Sequence, residues 1–173
     1  MPPHAVLTRG VASTAAEMST RWTSGWQLWK RILTGMTIRT SSAVWNGDLK
    51  SGTGDIALGS GALNSAYTFA SRFEDGAGTN PEELIAAAHA ACFSMFLANV
   101  LAGAGHTADS VRTVAAVTLG DGPAITGIAL TTEARVPGLA AEAFATHVET
   151  AKAGCPISAA LAAVPITVTA ALI

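Results

Sequence analysis

Apolar residues crowd together from Leu84 to Leu101, where no Asp, Glu, Lys or Arg interrupts and the polar side chains are His89, Ser94 and Asn99. Nearly every residue there suits a helix, and the apolar positions run around it on all sides, which predicts a helix buried on nearly every side. Thr79 and Asn80 offer caps, Pro81 suits the first helical position, and Glu82 and Glu83 sit where the helix dipole favours anions. Gly103 and Gly105 mark its end.

On either side of this helix the pattern changes to alternation. Ile38 to Leu49 and Thr53 to Leu58 flank the turn-rich Lys50-Ser51-Gly52 and read as a hairpin, with Ala66 to Phe73 as a further extended segment. Val111 to Leu119 and Ile125 to Val136 alternate around Gly120-Asp121-Gly122-Pro123, a second hairpin with one buried face. Ala140 to Ala153 returns to helical spacing through Phe144, Val148 and Ala151, and Gly154 ends it. Pro156 starts a short helix over Ile157 to Ala162, and Pro165 to Ile173 alternates as a last strand. Strands, one helix, two strands, helices and a strand make an α+β chain, not a doubly wound parallel one.

Residues 1 to 35 are of another composition. Trp22, Trp26 and Trp29 fall with Leu33 on one helical face, and Arg9, Arg21, Lys30 and Arg31 meet one acid, Glu17. A targeting segment, a helix lying on a membrane and an extension without a role in the fold compete here. Met36-Thr37-Ile38 reads as a natural start, so residues 36–173 are expected to form the domain and 1–35 an extension.

The 173 residues, 50% hydrophobic and 13% charged, suit one compact domain. The mean hydropathy of +0.40 is high, and Leu84 to Leu101 approaches the length that spans a bilayer. His89, Ser94 and Asn99, many alanines, and the lack of flanking Lys or Arg argue against a membrane span. A helix covered partly by its own chain and partly by a second copy fits better. From Met36 onward acids outnumber bases, so no basic patch recommends nucleic acid as a partner.

There are two cysteines. Without a signal-peptide core, they suggest a reducing, cytoplasmic setting in which a stable disulfide gives way to a transient one. Zinc or another metal fits poorly: no CxxC or HxxxH is present, and Cys92 with His89 leaves half a tetrahedral site empty. Cys155, between helix-ending Gly154 and helix-starting Pro156, is placed at an N-cap, where free amides stabilise a thiolate. Cys92 lies inside the apolar helix, and burial raises its pKa, so a reactive Cys92 requires a cation from outside its own helix. Arg72 is the candidate cation, with pairing to Glu74 or Asp75 in a solvated loop as the alternative. Glu82 lies about ten residues before Cys92, roughly 15 Å along a straight helix. One site containing both requires a bent helix start or two subunits. His89 lies on roughly the face of Cys92, as a base for it or as a satisfied core histidine.

The run Gly78-Thr79-Asn80-Pro81-Glu82-Glu83-Leu84 leading to Ala87-Ala88-His89-Ala90-Ala91-Cys92-Phe93-Ser94-Met95, with Lys152-Ala153-Gly154-Cys155-Pro156-Ile157-Ser158 downstream, resembles the OsmC/Ohr family of thiol peroxidases. Trp45-x-Gly47-Asp48 and Arg72-Phe73-Glu74 fit its osmotically inducible OsmC branch. The resemblance covers roughly Met36 to the end. It implies an OsmC-like fold, antiparallel β-sheets wrapped around two long central helices in an intertwined homodimer. It also implies Cys92 as peroxidatic thiol, Cys155 as resolving thiol, and Arg72 with Glu82 as the pair that activates Cys92 and guides the peroxide. The expected activity is reduction of organic hydroperoxides to alcohols through a Cys92 sulfenic acid and a Cys92–Cys155 disulfide, protecting against oxidative or osmotic stress. No bound cofactor is implied; in relatives the external reductant is dihydrolipoamide or a lipoylated protein. Leu84, Ala88, Phe93, Phe96 and Phe69 are expected to form an apolar surround. The competing reading is a dimer of the same fold that binds a hydrophobic ligand without catalysis, or senses redox state.

Overall fold

The computed structural model describes residues 37–173. The tryptophan-bearing face and the extension assigned to residues 1–35 lie outside the described residues. The first elements are strands β1 (Ser41–Asn46), β2 (Thr53–Leu58) and β3 (Asn64–Thr68), an antiparallel sheet in that order. In the first turn, Gly47 takes a φ of +93°, and the Asp48 carboxylate accepts from the amides of Lys50 and Ser51 at 2.9 and 3.0 Å. Both devices suit a tight reversal.

The extended segment expected from Ala66 to Phe73 stops at Thr68 and becomes a short helix, α1 (Phe69–Phe73). The reason is a reciprocal cap: Thr68 Oγ1 accepts from the Ser71 amide at 3.0 Å, and Ser71 Oγ accepts from the Thr68 amide at 2.9 Å. Two satisfied amides favour the helical turn over a longer strand.

Helix α2 (Pro81–Gly103) starts where the sequence places it, with Asn80 Oδ1 accepting from the Glu83 amide at 2.8 Å. It ends in a Schellman arrangement: the His106 amide donates to Leu101 O, the Gly105 amide to Ala102 O, and Gly105 adopts φ +85°. Its burial differs from the all-round expectation. Phe93, Leu97 and Leu101 are fully buried along one stripe, whereas Met95 is 75% exposed on another face. A single chain of this size covers one side of an all-apolar helix, and the other sides stay half-open.

Strands β4 (Ser110–Gly120), β5 (Ala124–Arg135) and β6 (Ile166–Leu172) form the second sheet, in that order. β4 and β5 are the antiparallel hairpin read from the alternation, with a register shift at Thr118/Leu119. β6 instead joins β5 in parallel, a departure from purely antiparallel sheets. The crossover through α3 (Ala141–Gly154) and α4 (Pro156–Ala160) is long enough to return the chain in the same direction. Ile128, Leu130 and Ala134 of β5 meet the buried stripe of α2 and Phe144, Val148 and Ala151 of α3. Among the described residues the first sheet has no such cover, and Val44 stands 57% exposed.

Among the described residues α2 is the one helix long and apolar enough to cross a membrane. Its stripe of Glu82, His89, Phe93, Leu97 and Leu101 is buried within this domain, and its other sides are open.

Candidate active site

Two clusters form around α2. The first sits at its N-terminus. Ser71 Oγ donates to Thr79 O at 2.9 Å and Asn80 Nδ2 donates to Ser71 O at 3.1 Å, lashing α1 to the start of α2. Gly78, at φ +113°, lies so close to Ala66 that an added Cβ would meet the Ala66 carbonyl oxygen at 2.6 Å. The lashing brings Arg72 against Glu82: Nε donates to Oε2 at 3.1 Å and an η nitrogen to Oε1 at 2.8 Å. This bidentate pair replaces the alternative of Arg72 pairing with Glu74 or Asp75. The guanidinium also lies 5.1 Å from the centre of the Phe73 ring.

The Glu82 side chain is 11% exposed and that of Arg72 32%. Burial pushes the Glu82 carboxyl up, but the Arg72 hydrogen bond, the backbone and the Arg72 charge together hold it below the usual carboxylate range. The Arg72 guanidinium is held above its ordinary value chiefly by its hydrogen bond to Glu82. Trp45, Leu49, Tyr67, Phe69, Phe73 and Pro81 surround Arg72 in a pocket of about 230 Å³. Phe69 lines this pocket beside Arg72. Phe93 lies instead in the buried cluster that holds Cys155 and against which Cys92 and Phe96 pack.

The second cluster holds the thiols. Cys92 and Cys155, distant in sequence, lie with their sulfurs 3.4 Å apart, the Cys155 thiol directed at Cys92, and both are free. The turn between α3 and α4 that delivers Cys155 depends on Gly154, where an added Cβ would meet the Phe96 ring of α2 at 2.7 Å. Cys155 is fully buried at the N-cap of α4. Its sulfur closes no capping hydrogen bond of standard geometry. Burial pushes its pKa up, yet the amide and hydroxyl of Ser158, the Cys92 sulfur and the Ile157 amide more than offset this, so Cys155 lies below the ordinary thiol range. Burial pushes Cys92 above that range; the Ile157 amide opposes this and Cys155 adds to it. The demand for an outside cation at Cys92 therefore stands within its own chain.

The structure does not bring Arg72 and Glu82 to Cys92 in the same chain. Helix α2 is continuous from Pro81 to Gly103, so Glu82 and Cys92 lie roughly 15 Å apart along it. A helix start that bends back is ruled out. His89 is fully buried, and its Nε2 lies 2.8 Å from Ser158 Oγ. Ser158 had no role in the sequence reading; its place one turn after Cys155, where an N-cap and the third helical residue face each other, was the available signal.

The family model for OsmC-like proteins matches residues 74–169, a span containing Glu82, Cys92 and Cys155. Over 133 residues the chain is 51% identical to Peroxiredoxin OsmC of Escherichia coli (strain K12), covering 74% of this chain and 93% of that protein. The chain belongs to the OsmC-like protein family. Solved structures of the OsmC-like fold agree: an OsmC-like protein from Mycoplasma pneumoniae superposes with a TM-score of 0.62 at 18% identity, over 80% of this chain and 99% of that one. The organic hydroperoxide resistance protein OhrB of Bacillus subtilis does so with a TM-score of 0.55 at 24% identity, over 78% of this chain and 98% of that one.

Proposed function

We propose that this OsmC-like chain is a cysteine-based peroxidase that reduces organic hydroperoxides to alcohols through Cys92 and Cys155. The observation that carries the reading is the 3.4 Å separation of the two sulfurs inside an apolar shell. Closing that gap to a disulfide needs a movement of little more than 1 Å. The relative named Peroxiredoxin OsmC supports the peroxidase activity.

In the proposed cycle the Cys92 thiolate attacks the terminal oxygen of the hydroperoxide, the O–O bond breaks, the alcohol leaves with a proton, and Cys92 becomes a sulfenic acid. Cys155 then condenses with it, releasing water and forming the disulfide. An external dithiol, dihydrolipoamide or a lipoylated protein, reduces that disulfide by exchange. The cycle calls on no bound metal or organic cofactor. Free thiols of this kind suit a reducing compartment, and we assign the protein to the cytoplasm.

The site is assigned to a homodimer. Among the described residues of one chain the Arg72–Glu82 pair and Cys92 stand apart, the first sheet has no covering layer, and α2 carries an exposed apolar face. A second copy laid along α2 supplies a cover for both surfaces and brings its own Arg72 to this Cys92, stabilising the thiolate. The pocket beside Arg72, lined by Trp45, Tyr67, Phe69 and Phe73, then receives the alkyl part of the substrate.

With dihydrolipoamide as donor, we expect turnover of cumene hydroperoxide to exceed that of hydrogen peroxide by about tenfold or more, because burial of an alkyl or aryl group contributes several kcal/mol. The Cys92→Ser variant is expected to show none. Full turnover by that variant, or a preference for hydrogen peroxide, contradicts the assignment.

A further inference from the structure

Helices α2 and α4 meet at two points, one turn apart. At one, Cys155 at the start of α4 puts its sulfur 3.4 Å from that of Cys92. At the other, His89 Nε2 lies 2.8 Å from Ser158 Oγ. On α2, His89 comes one turn before Cys92, on the same side of the helix. On α4, Ser158 comes one turn after Cys155, where an N-cap and the third helical residue face each other. The two contacts are successive rungs between helices that run in opposite directions.

The second rung is shut off from water, with His89 fully buried and Ser158 6% exposed. His89 Nδ1 has no hydrogen-bond partner. A proton there would be a buried N–H without an acceptor, so Nε2 carries the proton and donates to Ser158 Oγ. Among the described residues this is the only hydrogen bond between a side chain of α2 and one of α4. Little else fixes so short an element. α4 spans five residues, and its N-cap closes no side-chain hydrogen bond. Ile157 packs against the apolar cluster, but apolar contact is non-directional and tolerates sliding and rotation. A hydrogen bond loses strength over a few tenths of an ångström.

We propose that the His89–Ser158 hydrogen bond sets the position of α4 on α2 and thereby holds the Cys155 sulfur within reach of Cys92, raising the effective concentration of one thiol at the other. Both are positioning residues, acting through the placement of Cys155. The proposal rests on the peroxidase reading for the use of the disulfide, not for its geometry. In the resolving step the S–S bond forms as the Cys92 S–O bond breaks, and the Cys155 proton leaves with that oxygen as water. The Cys155 sulfur is oxidised and the sulfenic sulfur reduced. From 3.4 Å the sulfurs close to a bond of about 2.05 Å. A misplacement of about 1 Å at such a centre costs on the order of a hundredfold.

The test measures disulfide closure at equilibrium without peroxide, in glutathione buffers. Glutathione disulfide takes two electrons and two protons from the protein dithiol, giving the protein disulfide and two glutathione thiols. Acid quenching, alkylation and mass spectrometry then yield the effective concentration of the pair. Ser158→Ala and His89→Leu should each lower it about tenfold, the size of one net hydrogen bond, or roughly 30 mV in potential. The double variant should fall no further, because the same bond is missing in all three. His89→Gln, which keeps a side-chain N–H for the serine oxygen, should recover most of the loss. A role in folding alone would lower thermal midpoints and leave the effective concentration in the folded protein untouched. An unchanged value in Ser158→Ala, additive losses in the double variant, or His89→Gln no better than His89→Leu overturns the proposal. If His89→Leu does not fold, Ser158→Ala and His89→Gln against the wild type decide it. A wild type that closes the disulfide in the buffer but leaves cumene hydroperoxide unconsumed fails the peroxidase reading alone. A wild type that closes no Cys92–Cys155 disulfide overturns both.

Discussion

At the scale of the residue, the two sulfurs are unequal. Cys155 gains from Ser158 and the Ile157 amide what burial takes away, whereas Cys92 is left with its pKa raised. A nucleophile of that kind depends on a nearby positive charge, and Arg72 is the proposed source. The Arg72→Ala variant should therefore keep its thiols but lose reactivity at neutral pH. Because the thiolate reacts, a higher Cys92 pKa moves the rising limb of the pH–rate profile for the first oxidation step to higher pH. The rate at neutral pH falls about tenfold for each unit of that move and recovers in alkaline buffer. A stopped-flow profile of Arg72→Ala that overlays the wild-type profile removes Arg72 from the mechanism.

At the scale of the element, the start of α2 concentrates the local chemistry. Asn80, Pro81 and the acids of the first turn were legible because capping depends on neighbours in sequence. The Thr68 and Ser71 cap was not, since Ser at the third helical position is a weaker signal than Glu or Gln, and the alternating Ala66 to Phe73 stretch reads as strand until that cap is seen. The Arg72–Glu82 pair makes a pH-dependent contribution whose sign is fixed. Glu82 is held below its unfolded value, so its contribution is complete above that value, about 4.3, and is lost as pH falls through the folded-state pKa. Urea midpoints of the wild type should drop over that acid window, and Glu82→Gln should flatten this part of the curve while lowering stability at neutral pH by about 1–3 kcal/mol. An unaltered acid slope in Glu82→Gln shows that other carboxylates set it.

At the scale of the whole molecule, α2 has apolar residues on every side but is buried along one stripe, with Met95 75% exposed opposite the core. The sequence announced the all-apolar helix, but a periodicity that is absent on one helix does not say which chain covers each side. The nearness of Cys92 and Cys155 was legible through the resemblance to OsmC/Ohr proteins. The separation of Glu82 from Cys92 was legible through helix rise, once the helix runs straight; that of Arg72, which lies outside α2, was not. His89 and Ser158 were hidden because their contact joins α2 to α4, and no local pattern encodes so distant a pairing. If a second copy completes the site, Met95→Lys places a charge in that interface. Sedimentation should then find dimers for the wild type and a shift to monomers for the variant, with peroxidase activity lost in parallel. A wild-type protein that sediments as an active monomer contradicts the shared site.

The most direct measurement counts thiols. The reduced protein receives one equivalent of cumene hydroperoxide per chain, is quenched with an alkylating agent, and is mapped by mass spectrometry. Loss of both free thiols, with Cys92 joined to Cys155 and cumyl alcohol released in equal amount, is the predicted result. Both thiols recovered intact, with the peroxide unconsumed, contradicts the account.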